Sequence, residues 1–227
     1  MSVGRVTLFF DVISPYSWIG FEAFTRLRSH WGIESQLKPF FLGGVMKATD
    51  NRPPGFVPAK AAYMLKDLEL LNNYWGVPIK PLTDFGEMAE VLITKGSLLA
   101  QRFLVSLEAE KGHLLEAAAR ELWMRRYSRQ EDIHLPEHLL QVCTAIGMKK
   151  AESEQTLAGL ESKEVKQALA ANTQEAIDSG AFGAPWFIVE GAKGRHCLFG
   201  ADRFHLMAYL LGKEFPGPLR EMAAAKI

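Results

Sequence analysis

Val6 to Val12 is a short run of β-branched and aromatic side chains, the pattern of a buried strand. Beyond Pro15 the period changes. Trp18, Phe21, Phe24, Leu27 and Trp31 recur about every three residues, which is one face of a helix. The stretch "IESQLKPFFL" then reads as a second strand, with Ile33, Leu37 and Phe40 among its apolar positions. A strand-helix-strand unit of this kind implies a right-handed crossover and parallel pairing. Next comes "ATDNRPPGFVPAK", a loop by its prolines and glycine. From Ala61 to about Ser179 the text is helical, in "AAYMLKDLELLNNYW", "GSLLAQRFLVSLEAEKG", "HLLEAAARELWMRRYS", "PEHLLQVCTAIG" and "KEVKQALAANTQEAIDSG". Gly112, Gly147 and Gly180 sit where helix C-caps belong, and Ser128 with Glu131 has capping-box spacing. After Gly180, "PWFIVE" and "RHCLFG" are apolar runs separated by "GAKG", an antiparallel hairpin. "ADRFHLMAYLLGKE" closes the pattern as an amphipathic helix starting at Ala201 and Asp202, with the acid in its first turn.

With the helical block removed, what remains has the element order of a thioredoxin fold. The chain is therefore expected to be α/β: a thioredoxin-like domain of residues 1–60 and 180–227, interrupted by an all-helical insertion domain of residues 61–179. No fixed-period repeat suggests a solenoid.

Composition narrows the function classes. The 227 residues are 48% hydrophobic and 23% charged, as in ordinary globular proteins that fold without disulfides. A formal net charge of +0 gives no electrostatic case for nucleic acid or an anionic membrane surface. The arginine-rich "MRRYSRQ" reads as a solvated helix end. Cys143 and Cys197 are far apart, form no Cys-x-x-Cys and read as small buried hydrophobes, which fits a reducing compartment. No apolar run reaches the roughly 18–20 residues of a membrane span. "MSVGRVTLFFDV" enters strand pattern directly, without a signal-peptide cleavage site. Ala225-Lys226-Ile227 loosely resembles the peroxisomal Ser-Lys-Leu address.

Three features carry chemistry. At the strand-helix junction stands Ser14-Pro15-Tyr16-Ser17, where disulfide oxidoreductases have Cys-Pro-x-Cys. Ser14 would place a hydroxyl among the unpaired N–H groups of a helix start, with Pro15 where its missing N–H costs nothing. That geometry stabilises an anion, and a thiolate brought by a ligand is one candidate. As a plain N-cap, Ser14 would contribute about 1 kcal/mol and no chemistry. Pro185, before a strand, occupies the place of the thioredoxin-fold cis-proline, so Ala184 would offer its backbone to an extended ligand. Ala201 and Asp202 could hold a carboxylate on N–H groups and an ammonium on the Asp202 side chain.

"FFDVISPYSWIGFE", "NRPPG" followed by "PAK", "RELWMRRYSRQEDI", "GAFGAP" and "LFGADR", in this order, resemble the kappa-class glutathione transferases. The match runs from Val6 to about Gly212. The resemblance implies a thioredoxin domain of the disulfide-oxidoreductase type, a homodimer, and glutathione as co-substrate with no metal. It makes Ser14 the catalytic residue, hydrogen-bonded to the glutathione sulfur. Ser14, Pro15 and Tyr16 match the family's glutathione contacts, as do Asn51 and Lys60, and Ala184, Pro185, Ala201 and Asp202 join them as expected glutathione-binding positions from the two features above. Ala184 stands where members often have leucine and Ala201 where they often have serine, so a hydroxyl contact there is lost. The implied activity is attack of a glutathione thiolate on small apolar electrophiles, with peroxide reduction as a further use. Mitochondrial matrix or peroxisome is the implied location, with the cytoplasm as the alternative.

The 2-hydroxychromene-2-carboxylate isomerases share the fold, the serine and glutathione dependence, but "NRPPG" and the "ELWMR" segment favour the transferase. A silent peptide-binding or chaperone module would keep Pro185 but not need Asn51, Lys60 and Asp202. His134 and His138 have helical spacing but Pro136 between them and no third ligand. No nucleotide-binding glycine motif is present.

Overall fold

The computed structural model of the chain describes residues 4–80 and 95–224. Ala225-Lys226-Ile227, the address-like tripeptide, lies outside the described residues. In chain order the elements are β1 (Arg5–Phe10), α1 (Pro15–Trp31), β2 (Glu34–Pro39), α2 (Leu42–Thr49) and α3 (Pro58–Trp75). Then come α4 (Leu98–Glu110), α5 (Gly112–Trp123), α6 (Pro136–Ala145), α7 (Lys150–Ala158) and α8 (Lys163–Asp178). The hairpin β3 (Trp186–Gly191) and β4 (Gly194–Phe199) and the helix α9 (Phe204–Leu211) complete the set.

The four strands form one sheet in the order β2-β1-β3-β4. β1 is central: Leu8 lies opposite Leu37 of parallel β2 and opposite Phe187 of antiparallel β3. Alternation along β1 explains why the sheet needs cover on both faces. Val6, Leu8 and Phe10 enter the larger core with α1 and the helical block, whereas Phe9 joins Phe40, Val45, Trp186 and Ile188 on the other face.

Helix α1 is buried nearly all round rather than along one stripe. Its Trp18 stacks on Trp123 of α5 with centroids 6.5 Å apart, and its Phe24 meets Phe187 of β3 edge to face at 5.8 Å. The helical insertion thus shares one core with the sheet instead of building its own.

Two polar side chains join the insertion to the end of β1. Gln101 of α4, fully buried, donates to the Phe10 and Phe40 carbonyls at 2.9 and 2.8 Å and accepts from the Val12 N–H at 3.2 Å. Asp11, also fully buried, accepts from the N–H groups of Ile13 (3.0 Å) and Leu42 (2.9 Å) and from the Ser97 hydroxyl (2.9 Å). Backbone groups just beyond the strand ends need such partners, because burial without them is costly.

Several local expectations change. α2 occupies the tail of the expected second strand and the start of the expected loop. Gly43 and Gly44 obscure its apolar Leu42 and Val45, and α3 begins at Pro58. Gly147 and Gly180 do have positive φ just past helix ends, but Gly112 opens α5 instead of closing α4. Ser128 caps nothing: it lies in a π-helical turn, Met124–Arg129, and its hydroxyl donates to the Pro78 carbonyl. "MRRYSRQ" is correspondingly not a solvated end, since Arg125, Tyr127 and Ser128 are buried. The wide turn points Tyr127 inward to donate to the Ile13 carbonyl. Cys143 is buried as expected, while Cys197 on β4 is only half-buried.

Two stability predictions follow from this packing. A Cβ on Gly20 of α1 would stand 2.8 Å from Pro185 Cγ. Gly20→Ala is therefore expected to cost about 1–3 kcal/mol in urea unfolding, as overpacking does. The Asp11 carboxyl is pushed from 3.8 to about 6, burial outweighing its hydrogen bonds from Ile13, Leu42 and Ser97. The folded chain then keeps a proton that the unfolded chain releases, so this group's stability contribution is full below 3.8 and declines as pH rises to about 6. Asp11→Asn, which cannot ionise, should gain on wild type by about 3 kcal/mol between roughly pH 4 and pH 7.

Candidate functional site

The N-terminus of α1 opens onto a cavity of about 590 Å³. Ser14 is its N-cap, held in extended backbone (φ −97°, ψ 119°), with its Oγ accepting from the Ser17 N–H at 3.1 Å. The Ser14 N–H donates to the Asp11 carbonyl at 3.0 Å, fixing the turn between β1 and α1. With its lone pair engaged from inside the helix, the Ser14 hydroxyl keeps its own proton to donate into the cavity. The capping geometry is therefore compatible with donation of the Ser14 hydroxyl to an anion. Ser17 Oγ is buried one turn along, without a hydrogen-bond partner among the described residues.

Eight of the nine residues singled out from sequence line this one cavity: Ser14, Pro15, Tyr16, Asn51, Lys60, Ala184, Ala201 and Asp202. The ninth, Pro185, lies buried just beneath, against Gly20, and the Ala184–Pro185 bond is cis. Asn51 ties two walls together: its Nδ2 donates to the Phe182 carbonyl at 2.6 Å and its Oδ1 accepts from the Arg52 N–H at 2.9 Å. Lys60, in the first turn of α3, is exposed at the rim.

Ala201 and Asp202 do not start the last helix. Gly200, at φ 98°, turns the chain out of β4, and α9 begins only at Phe204 with Arg203 as its N-cap. Ala201 and Asp202 occupy the bend before it, so their N–H groups are not first-turn donors. The exposed Asp202 carboxylate accepts from Arg203 Nη1 at 2.8 Å.

Residues that sequence patterns did not single out complete the walls. Asp67 of α3 accepts from the Tyr16 hydroxyl at 2.8 Å and from the Tyr63 hydroxyl at 3.1 Å. Burial first, and then the Asp67 carboxylate, push the Tyr16 phenol well above its ordinary range, so it remains a donor at any working pH. Tyr63 is raised too, chiefly by its hydrogen bond to Asp67. Ser97, at the start of α4, is a further polar group in the wall. Phe41, Met46, Phe56, Met64, Leu71 and Phe199 make much of the remainder apolar. No spacing could have joined Tyr16 to Asp67, which lie 51 residues apart and meet only because α3 packs beside α1. Asp11, an acid inside an apolar strand run, was the one visible signal for the Ser97 contact.

His134 and His138 lie outside this cavity, their rings 5.1 Å apart. His138 Nδ1 accepts from the Leu135 N–H at 3.2 Å, a cap for α6. Among the described residues no group of three metal-ligating side chains is assembled, and no helix is long and apolar enough to cross a membrane.

Comparison with known proteins covers nearly the whole chain. Residues 5–212 match the family described as DSBA-like thioredoxin domain. Human glutathione S-transferase kappa 1 is 41% identical over 222 residues, 98% of this chain and 97% of its own length. Glutathione S-transferase kappa 2 of Caenorhabditis elegans is 39% identical over 221 residues, 95% of each chain. Among solved structures, a 2-hydroxychromene-2-carboxylate isomerase superposes with a TM-score of 0.70 at 18% identity, covering 92% of this chain and 94% of its own. The cytosolic disulfide reductase DsbM of Pseudomonas aeruginosa, solved with GSH, gives 0.63 at 16% identity, over 91% and 96%. At those identities the structural neighbours attest the fold, while the sequence relatives narrow the class. The chain belongs to the DSBA-like thioredoxin-domain family and, within it, to the kappa-class glutathione S-transferases.

Proposed function

We propose that the cavity binds glutathione with its sulfur at Ser14 and holds it as a thiolate for attack on small apolar electrophiles. The observation that carries this reading is the pose of Ser14. Its Oγ accepts from the Ser17 N–H at the positive end of a seventeen-residue helix, which leaves the hydroxyl proton free to be donated to a ligand. A free thiol near pKa 8.5 is mostly protonated at neutral pH, and only the thiolate is a good nucleophile. A hydrogen bond to the charged form and a helix N-terminus both favour ionisation. Conjugation then forms a carbon–sulfur bond while the leaving group departs with its electron pair.

The rest of the cavity suits a zwitterionic tripeptide lying beside an apolar partner. Ala184 lines the cavity next to Pro185, and Lys60, Asn51 and Asp202 supply polar groups for the charged ends. The phenylalanines and methionines of the lining would receive the electrophile by burial of apolar surface. Replacement of the often-found serine by Ala201 removes one hydroxyl donor to the ligand, leaving backbone groups there. Peroxide reduction by the same thiolate, a homodimeric state, and residence in the mitochondrial matrix or peroxisome belong to this reading through family resemblance. An isomerase acting on a hydroxychromene would use the same glutathione pose, and side-by-side assays of conjugation and isomerisation separate the two.

The decisive measurement is ultraviolet thiolate absorbance against pH with glutathione bound. Wild type should hold the bound thiol well below its free pKa. Ser14→Ala should still bind glutathione, but with the bound thiol's pKa raised by about 1–2 units, the worth of one hydrogen bond to a charged group. Conjugation at neutral pH should fall by roughly ten- to a hundredfold in step. A wild type that binds no glutathione sinks the proposal.

A further inference from the structure

Making a thiolate releases a proton, which needs an acceptor close to the sulfur. Ser14 itself stands as a donor. Tyr16 and Tyr63 already donate to Asp67, one to each of its oxygens. One acid beside the cavity is still unused. Asp11 is fully buried directly before the Ser14 turn, and its Oδ2 accepts from the hydroxyl of Ser97, which itself lines the cavity. Ser97 is therefore a residue of the cavity wall whose hydroxyl is held on a buried carboxylate.

We propose that Ser97 and Asp11 form the proton-accepting relay of the site: the glutathione thiol gives its proton to Ser97 Oγ while Ser97 passes its own to Asp11 Oδ2. The relay rests on glutathione being the ligand. The S–H bond breaks, the Ser97 O–H bond is remade with the thiol's proton, and Asp11 becomes a neutral acid. One negative charge moves from carboxylate to sulfur, and no other reactant is needed. Ser97 then donates toward the sulfur, adding a second hydrogen bond to that of Ser14. After conjugation, the acid returns its proton by the same hydroxyl to the leaving group or to cavity water.

Electrostatics favours this exchange over simple loss of the proton. Two anions in one water-poor site raise each other's pKa, so a thiolate above an ionised Asp11 is disfavoured. Passing the proton between them leaves a single charge. The Asp11 carboxyl, lifted by burial to about 6, lies near the range to which Ser14 would bring the thiol, the condition for efficient transfer. The surroundings do not compete. α4 faces Asp11 with Ser97 and the uncharged Gln101, and α2 faces it with the Leu42 N–H. The turn after α5 brings Tyr127, whose proton is committed to the Ile13 carbonyl and whose phenol burial pushes well up. Among the described residues, the other titratable groups of the cavity are Tyr16, Tyr63 and Asp67, bound to one another, with Lys60 and Asp202 at the rim.

Proton counting tests it. Glutathione is titrated calorimetrically into wild type and Asp11→Asn at about pH 7.5 in buffers of differing ionisation enthalpy, with bound thiolate read by absorbance. Wild type is expected to release well under half a proton per thiolate formed, and Asp11→Asn nearly one. In wild type alone, infrared difference spectra should gain a protonated carboxyl band with glutathione but not with S-methylglutathione, which has no proton to give. Ser97→Ala, a change at the cavity wall, should slow thiolate appearance in stopped flow by about tenfold or more. A purely structural Asp11 would weaken binding and leave protons released per thiolate unchanged. Equal release in both proteins, absence of the carboxyl band, or an unaltered Ser97→Ala rate overturns the relay. Thiolate formed with full proton release defeats the relay alone, whereas failure of wild type to bind glutathione or ionise it defeats the glutathione reading as well.

Discussion

Helix α1 has almost no solvent face, and a helix so enclosed cannot slide or rotate without opening a void on one flank. Trp18, Ile19, Phe21, Phe24 and Leu27 are fully buried, divided between the sheet and the helical block. Even its acid is enclosed: Glu22 Oε1 accepts from the Trp18 indole at 3.2 Å and from Arg120 of α5 at 2.7 Å. Such a pair is expensive to break from one side, because an unpaired charge would be left in the core. The consequence is functional. Ser14 is positioned by everything that packs on the helix behind it, so its hydroxyl is aimed before any ligand arrives.

The insertion is better understood as part of the site's frame than as a separate lid. α3 contributes Lys60, Tyr63, Met64 and Asp67 to the cavity, and α4 begins at its edge with Ser97. Gln101 and Asp11 fasten α4 to the ends of β1 and β2 through buried hydrogen bonds. A shift of the helical block would therefore disturb the Ser14 turn directly. The position of the Ser14 turn and fold stability draw on the same few polar contacts here.

Much of this was legible in the sequence because it is local. The period change at Pro15 marked the β1–α1 junction, and the Gly180–Pro185 segment marked the return to the sheet. Local signals failed where tertiary contacts decide. Two glycines disguised α2, whose Leu42 and Val45 gain burial only against the far face of the sheet. Gly112 has the chemistry of a helix stop, yet α5 starts on it. Asp202 looked like a first-turn acid, but leaving β4 through the left-handed Gly200 delays the helix until Phe204. The Tyr16–Asp67 and Asp11–Ser97 contacts span 51 and 86 residues, beyond any periodicity. The arginines of "MRRYSRQ" misled for a related reason: a π-helical turn buries residues that an α-helical register would expose.

The serines of Ser14-Pro15-Tyr16-Ser17 limit what this fold can do. A thioredoxin-type site that exchanges disulfides needs a sulfur at the helix N-terminus and a second one to resolve the mixed disulfide. Here both positions carry hydroxyls, and neither Cys143, buried in the helical block, nor Cys197, on β4, lines the cavity. A hydroxyl cannot be oxidised to a disulfide or trapped as one, so a sulfur held at Ser14 stays on its ligand and leaves with its product. What the site retains from the redox arrangement is its electrostatics: unpaired backbone donors, a helix dipole and a capping group with a proton to give. Those elements stabilise a sulfur anion whoever owns it. On the proposed reading, moving the sulfur from the chain to the ligand turns a site for exchanging electrons into one for presenting a nucleophile.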